Sequence, residues 1–258
     1  MAHSIGEVNP EKAKQFGASA FQMGVSSIKL CILFVLFGHQ LMVGVFQFTE
    51  EQVHVDAVNY LLITGTIGVL FSTINQIFTG LYTGIGDSKT PFLANAVGLV
   101  INLVMDPVLI FGIGFIPAMG VIGAAVATAG AQGVVTLLFL LISYKRGGLF
   151  QGMPVFRKPK MDYIKQVWKL GFPVGLQNVF MSGLSLIIAS MIAAWGADAI
   201  AVQKVGGQVE SIAWMIAGGF SMAVNSFFGQ NYGAGKMQRV RKGYNAAMTL
   251  MVIWGLLC

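Results

Sequence analysis

The feature that most constrains this chain is a series of six long apolar stretches, near residues 20–46, 57–82, 92–116, 119–143, 172–194 and 199–228. A transmembrane helix needs about 20 mainly apolar residues, and each stretch is long enough. A seventh begins near residue 244 and reaches Cys258 with no polar flank. A helix ending inside hydrocarbon leaves its last carbonyls unsatisfied, so the sequence reads as a piece of a longer protein. Charged residues make up only 10% of the 258, against about 25% in soluble domains. The expected fold class is all-α, a polytopic transmembrane helical bundle of about seven spans.

The net charge of +6 does not point to nucleic acid, because the basic residues collect in alternate loops. Segment 144–171 holds Lys145, Arg146, Arg157, Lys158, Lys160, Lys165 and Lys169 against one acid, Asp162. The loop after residue 228 holds Lys236, Arg239, Arg241 and Lys242 against none. The intervening loops are acidic ("TEEQVHVD", 49–56), uncharged ("GFIPAMG", 114–120) or carry Asp198 alone. This is the positive-inside pattern. It places the N-terminus, the 83–91 turn, the long linker and the 229–243 loop in the cytoplasm, in a multi-pass protein of the cell membrane whose first partner is the bilayer.

The opening "MAHSIGEVNPEKAKQ" lacks the apolar core of a signal peptide. Cys31 and Cys258 lie in apolar runs and His3, His39 and His54 show no ligand spacing, so neither a disulfide framework nor a metal or cofactor site is expected. "PKMDYIKQVWKLG" puts Ile164, Val167 and Trp168 on one side with lysines elsewhere, the pattern of an interfacial helix.

Polar residues inside the spans carry the functional information. Asn95, Asn102 and Asp106 are spaced i, i+7, i+11, a narrow arc of one helix face. Asp106 lies about 22 Å along the axis from Pro91 at about 1.5 Å per residue. Intramembrane acids usually face an interior cavity. Pro107 cannot donate to the carbonyl of residue 103, which leaves an acceptor nearby. Carboxylate, amide and freed carbonyl suit a proton or a hard cation such as Na⁺, and Thr128 on the next helix offers a hydroxyl. The alternative is a protonated or hydrogen-bonded Asp106 that only fixes helix packing.

Glu210 is the second intramembrane acid. Gln203 and Gly206 share its side, whereas Lys204 lies about 120° away and can snorkel to the headgroups. Glu210 reads as a site for protons or a cationic substrate, or as the partner of another helix. The 14 Met and 19 Phe suit a site that repacks around varied apolar cations, though any one of them is more simply lipid-facing or core.

"GEVNPEKAKQFGASA" from Gly6 and "GAGKMQRVRKGYNAA" from Gly233 form a weak internal repeat: a glycine-containing turn, a basic first helical turn, then an apolar span. Two full copies at that offset would exceed the length of this chain. "FSTINQIFTGLYTGIGDSKTPFLANAVGLVINLVMDPVLIFGIGF", then "MGVIGAAVATAGAQ" and "AVNSFFGQNYGAGK", occur in an order that closely resembles the multidrug and toxic compound extrusion (MATE) family. The resemblance covers essentially the whole chain.

It implies a two-lobed fold of twelve helices, of which this chain supplies helices three to nine. Residues 1–144 would belong to the N-terminal lobe, 145–171 to the inter-lobe linker and 172–258 to the start of the C-terminal lobe. It implies no enzyme activity, but exchange of H⁺ or Na⁺ for organic, often cationic, drugs, by a protein that is a monomer when complete. It also implies that the positions of Asn102, Asp106 and Thr128 help form a cation site, with an aspartate from a helix absent here. Where some members carry a glutamate in helix seven, this chain has Met181, leaving Gln177 and Asn178 as hydrogen bonders lining a cleft. The rival readings are a lipid-linked oligosaccharide flippase of related architecture, disfavoured because the basic residues sit in loops, and a non-transporting membrane remnant.

Overall fold

The structure, a computed structural model, describes residues 2–44, 51–114, 116–147, 160–193 and 195–257. Every regular element among them is helical: α1 (Ala2–Gly6), α2 (Pro10–Gly44), α3 (Glu51–Ile63), a π-helical turn (Thr64–Gly68), α4 (Val69–Gly84), α5 (Lys89–Phe111), α6 (Gly120–Arg146), α7 (Met161–Ala193), α8 (Ala197–Gly233) and α9 (Met237–Leu257). Among the described residues, six helices are long and apolar enough to cross a membrane, as in a multi-pass membrane protein. Residues 148–159 of the expected linker, including Arg157 and Lys158, lie outside the described residues, as does Cys258.

The helices run beyond the apolar stretches because polar residues extend them. Asn9 caps α2, its Oδ1 accepting from the Lys12 amide at 3.0 Å, and Pro10 occupies the first helical position. The expected interfacial segment and the span after it form one helix, α7, with Pro173 inside it. Proline removes one backbone bond, and here that loss does not end the helix.

The chain divides into two compact units, one of residues Ala13–Lys158 and one of Met1–Lys12 with Pro159–Cys258. In the first, α4, α5 and α6 enclose a core of Phe78, Tyr82, Ala94, Val135 and Phe139. Phe139 stacks on Phe78 with centroids 5.4 Å apart and on Tyr82 at 5.9 Å, geometries worth about 0.5–1.5 kcal/mol each beyond burial. Small residues make the approach possible. The side of Gly98 is filled by Val135, and a Cβ on Gly123 would overlap the backbone carbonyl of Leu109. This is the small-residue packing expected where lipid removes the hydrophobic drive between helices.

In the second unit, α1 lies against the end of α8, and the weak sequence repeat becomes a structural one. Glu7 N donates to His3 O, Val8 N to Ile5 O and Asn9 N to Ser4 O, each at 3.0 Å. In the same registers 227 residues later, Ala234 N donates to Gln230 O, Gly235 N to Tyr232 O and Lys236 N to Asn231 O, at 3.0, 3.0 and 2.9 Å. Val8 and Gly235 occupy equivalent left-handed positions, at φ 57° and 71°.

The contact between the two turns is reciprocal. A Cβ on Gly6 would overlap Gln230 O, and a Cβ on Gly233 would overlap His3 O. With the offset applied, each contact maps onto the other, as two copies related by a twofold rotation require.

Candidate functional site

The turn before α5 fixes where that helix begins. Asp87 Oδ1 accepts from the Thr90 amide at 3.0 Å, and its Oδ2 accepts from Thr90 Oγ1 and from Arg146 Nη1, both at 2.6 Å. Burial pushes the Asp87 carboxyl up, but these bonds and the Arg146 charge outweigh it and hold the group below its ordinary value. The far end is fixed as well. α5 stops at Gly112, φ 74°, and Met119 N, just before α6, donates to Leu109 O at 2.9 Å.

Between these anchors the polar residues of α5 separate in role. Asn95 Nδ2 bonds the Pro91 carbonyl of its own helix at 2.8 Å. Asn102 Nδ2 reaches Asp106 Oδ1 at 3.2 Å, and both residues are half-buried. The expected pairing of amide and carboxylate is therefore present. Thr128 is not brought to it: α6 buries Ala125, Ala127, Ala129 and Ala131, and Thr128 lies exposed. What α5 presents is a carboxylate with one neutral donor on it, able to accept a proton or a hard cation.

A buried polar cluster of this unit was not anticipated. Asn75 on α4 donates to the Gln132 carbonyl at 2.9 Å and to Gln132 Oε1 at 2.8 Å, while Thr136 Oγ1 donates to Asn75 Oδ1 at 2.8 Å. Asn75 and Thr136 are both buried. The signal was available, since Gln132 and Thr136 stand i, i+4 within one apolar span and must share a face. Further along the same pair of helices, Tyr82 Oη and Ser143 Oγ pair at 2.9 Å. Asn75 follows the π-helical turn, where Val69 N bonds Thr64 O and Gly65 lies buried against Val35. Such bulges recur at functional sites.

In the other unit, Gln177, Asn178, Gln203 and Glu210 are all exposed. Asn178 lines a shallow groove along α7 with Met181, Ser182, Ser185 and Leu186. Glu210 Oε1 accepts from Trp214 Nε1 at 3.0 Å, so an aromatic ring stands beside the carboxylate. That i, i+4 pair was also legible and went unread.

These features define a class: a polytopic helical membrane protein with repeat-related segments and ionisable groups held inside its spans. The chain belongs to the MatE family, whose model matches residues 1–108 and 173–258. It is 29% identical over 222 residues to the probable multidrug resistance protein NorM of Thermotoga maritima, covering 84% of this chain and 47% of that protein. It is 28% identical over 175 residues to the FAD transporter of Shewanella oneidensis, covering 66% of this chain and 37% of the relative. In fold it matches the Vibrio cholerae MATE transporter VcmN with a TM-score of 0.86 at 22% identity, over 99% of this chain and 57% of that one. The chain thus spans about half the length of the relatives it matches.

Proposed function

We propose that these residues serve a secondary active multidrug efflux antiporter, which exchanges H⁺ or Na⁺ for organic, often cationic, compounds by alternating access between two lobes. The observation that carries this reading is the Asn102–Asp106 pair, a half-buried carboxylate inside an apolar span with an amide already placed on it. An intramembrane acid is costly to insert and is by default a functional group. Thr128, exposed on α6, makes no hydrogen bond to the carboxylate and would join the ion site as a further neutral ligand.

On the substrate side, Glu210 with the Trp214 ring suits a cationic group, carboxylate for charge and aromatic face for its soft periphery. Gln203, Gln177 and Asn178 supply neutral hydrogen bonds along the same cleft. Residues 1–144 belong to one lobe, 145–171 to a cytoplasmic linker and 172–258 to the other, with the N-terminus of this chain cytoplasmic in the cell membrane and the complete protein a monomer. Cysteines at Gln52 and Arg157 are then labelled from opposite sides of the membrane, the first from outside.

The test is efflux of a fluorescent organic cation from proteoliposomes of the protein carrying these residues. Export should follow an imposed H⁺ or Na⁺ gradient and stop when an ionophore dissipates it. Export indifferent to both gradients would overturn the antiport reading.

A further inference from the structure

We propose that the cleft between the end of α8 and the start of α9 is a binding site for one anionic phospholipid. The cleft has a volume of about 920 Å³, within the range of about 300–1,000 Å³ typical of small-molecule sites. Phe228, Tyr232, Met237, Val240 and Tyr244 give it an overwhelmingly apolar wall, and Arg241 supplies a cation at its edge. The shape follows from the fold. Gly243 lets α9 approach Phe227 of α8 closely, and the turn through Gly235 then carries the first turns of α9 back past Tyr232.

The occupant is set by charge and by position. No acidic residue occurs anywhere from 211 to 258, while Lys236, Arg239, Arg241 and Lys242 crowd the same turn. His3 and the phenols of Tyr232 and Tyr244 are the other titratable wall groups, and Glu7, the acid that pairs with His3 at 3.5 Å, is also engaged with Lys12 at 2.8 Å. A ligand here therefore meets uncompensated positive charge and a greasy aromatic wall at once. That combination fits a phosphodiester headgroup on Arg241 with the upper acyl chain against the tyrosines, at the level where tyrosines mark the membrane interface. Basic pockets between membrane helices on the cytoplasmic side take acidic headgroups in this way. The site is separate from Asp106 and from Glu210, and it does not depend on the transport reading.

Native mass spectrometry of the full chain, released from micelles with equal amounts of phosphatidylglycerol and phosphatidylcholine of the same acyl length, tests it. Phosphatidylglycerol should be retained in preference, and Arg241→Gln should cut that preference roughly fivefold, the change expected for loss of one cation at an anionic surface. Val240→Trp fills the apolar wall without touching charge and should reduce retention of lipid, while Arg241→Lys restores the preference and shows that the fold is intact. Arg239→Gln and Lys242→Gln, outside the cleft, should reduce it clearly less than Arg241→Gln does. Equal retention of the two lipids would overturn the proposal. So would an equal loss from Arg239→Gln, which indicates diffuse attraction, or displacement of the lipid by soluble glycerol phosphate at matched concentration, which indicates a phosphate site with no lipid in it.

Discussion

The α5–α6 pair, with mean hydropathies of 1.9 and 2.0, is packed far more closely than the α7–α8 pair, at 1.5 and 1.3. In α6, 39% of the apolar window is buried, in α7 none of it. Glycine content does not explain the contrast, because both pairs carry several glycines. On α5 and α6, Gly98 and Gly123 are filled by Val135 and by the Leu109 backbone, whereas Gly175 and Gly183 on α7 and Gly206, Gly207, Gly218 and Gly219 on α8 have nothing within 4 Å. The polar groups divide likewise. Asn75, Gln132 and Thr136 bond across helices, while Ser185, Ser190 and Ser211 bond back to their own backbone. In a bilayer greasiness does not bring helices together, and what does is close approach plus hydrogen bonds between them.

The largest way to break this comparison is at Gly123. Gly123→Val should destabilise the α5–α6 pair by about 3 kcal/mol or more, because the added side chain meets backbone rather than a movable side chain. Gly206→Val should cost less than about 1 kcal/mol, the helix-propensity difference being small. Unfolding from mixed micelles, followed by circular dichroism, compares the two. Equal effects would mean that the α5–α6 contact does not govern stability.

Next comes Asn75→Leu, expected to cost about 1–3 kcal/mol because it removes the donor to Gln132 Oε1 and to the Gln132 carbonyl and leaves the buried Thr136 hydroxyl with only that carbonyl. Asn178→Leu, on the exposed face of α7, should be nearly silent in the same unfolding assay.

The repeated turns offer a smaller test. A β-branched residue in the left-handed region costs about 1–2 kcal/mol, so Val8→Gly should stabilise the α1–α2 turn by about 1 kcal/mol, while Gly235→Val should destabilise the α8–α9 turn by a similar amount. Amide exchange at Asn9 and Lys236 reads the two turns separately.

The smallest effect is at Asp87. Its carboxyl is held below the ordinary value, so its stabilisation is complete above about pH 4 and is lost as pH falls through the lower folded-state value. Asp87→Asn should lower the melting midpoint by about 2 °C at neutral pH, and the difference should close as the sample is acidified below that range.

Much of this was legible in advance, and the reasons it was or was not are physical. The spans follow from length and apolarity, which the bilayer thickness makes decisive. The Asn102–Asp106 pair follows from helical periodicity within one element. Thr128 could not be placed that way, because its direction depends on how α6 rotates against α5, set by Gly123, Gly98 and the small alanines rather than by any local pattern. Asn75 stands in α4 with no acid on that helix to mark it, although a buried amide is equally committed to finding a partner. The two turns of the repeat were matched in sequence, but the left-handed position of the first was not legible, because Val8 does not advertise one as Gly235 does.

The central claim is that Asp106 couples an ion rather than merely packing α5, and gradient-driven efflux from proteoliposomes, scaled to inserted protein, tests it most directly. If the claim is right, Asp106→Asn folds, inserts and still binds drug but loses coupled export, while Asn102→Leu and Thr128→Val each weaken it less, since each leaves the carboxylate in place. A packing role gives the reverse order for the aspartate itself: the near-isosteric Asp106→Asn is mild and Asp106→Leu is damaging. Near-normal coupled efflux by Asp106→Asn would contradict the account.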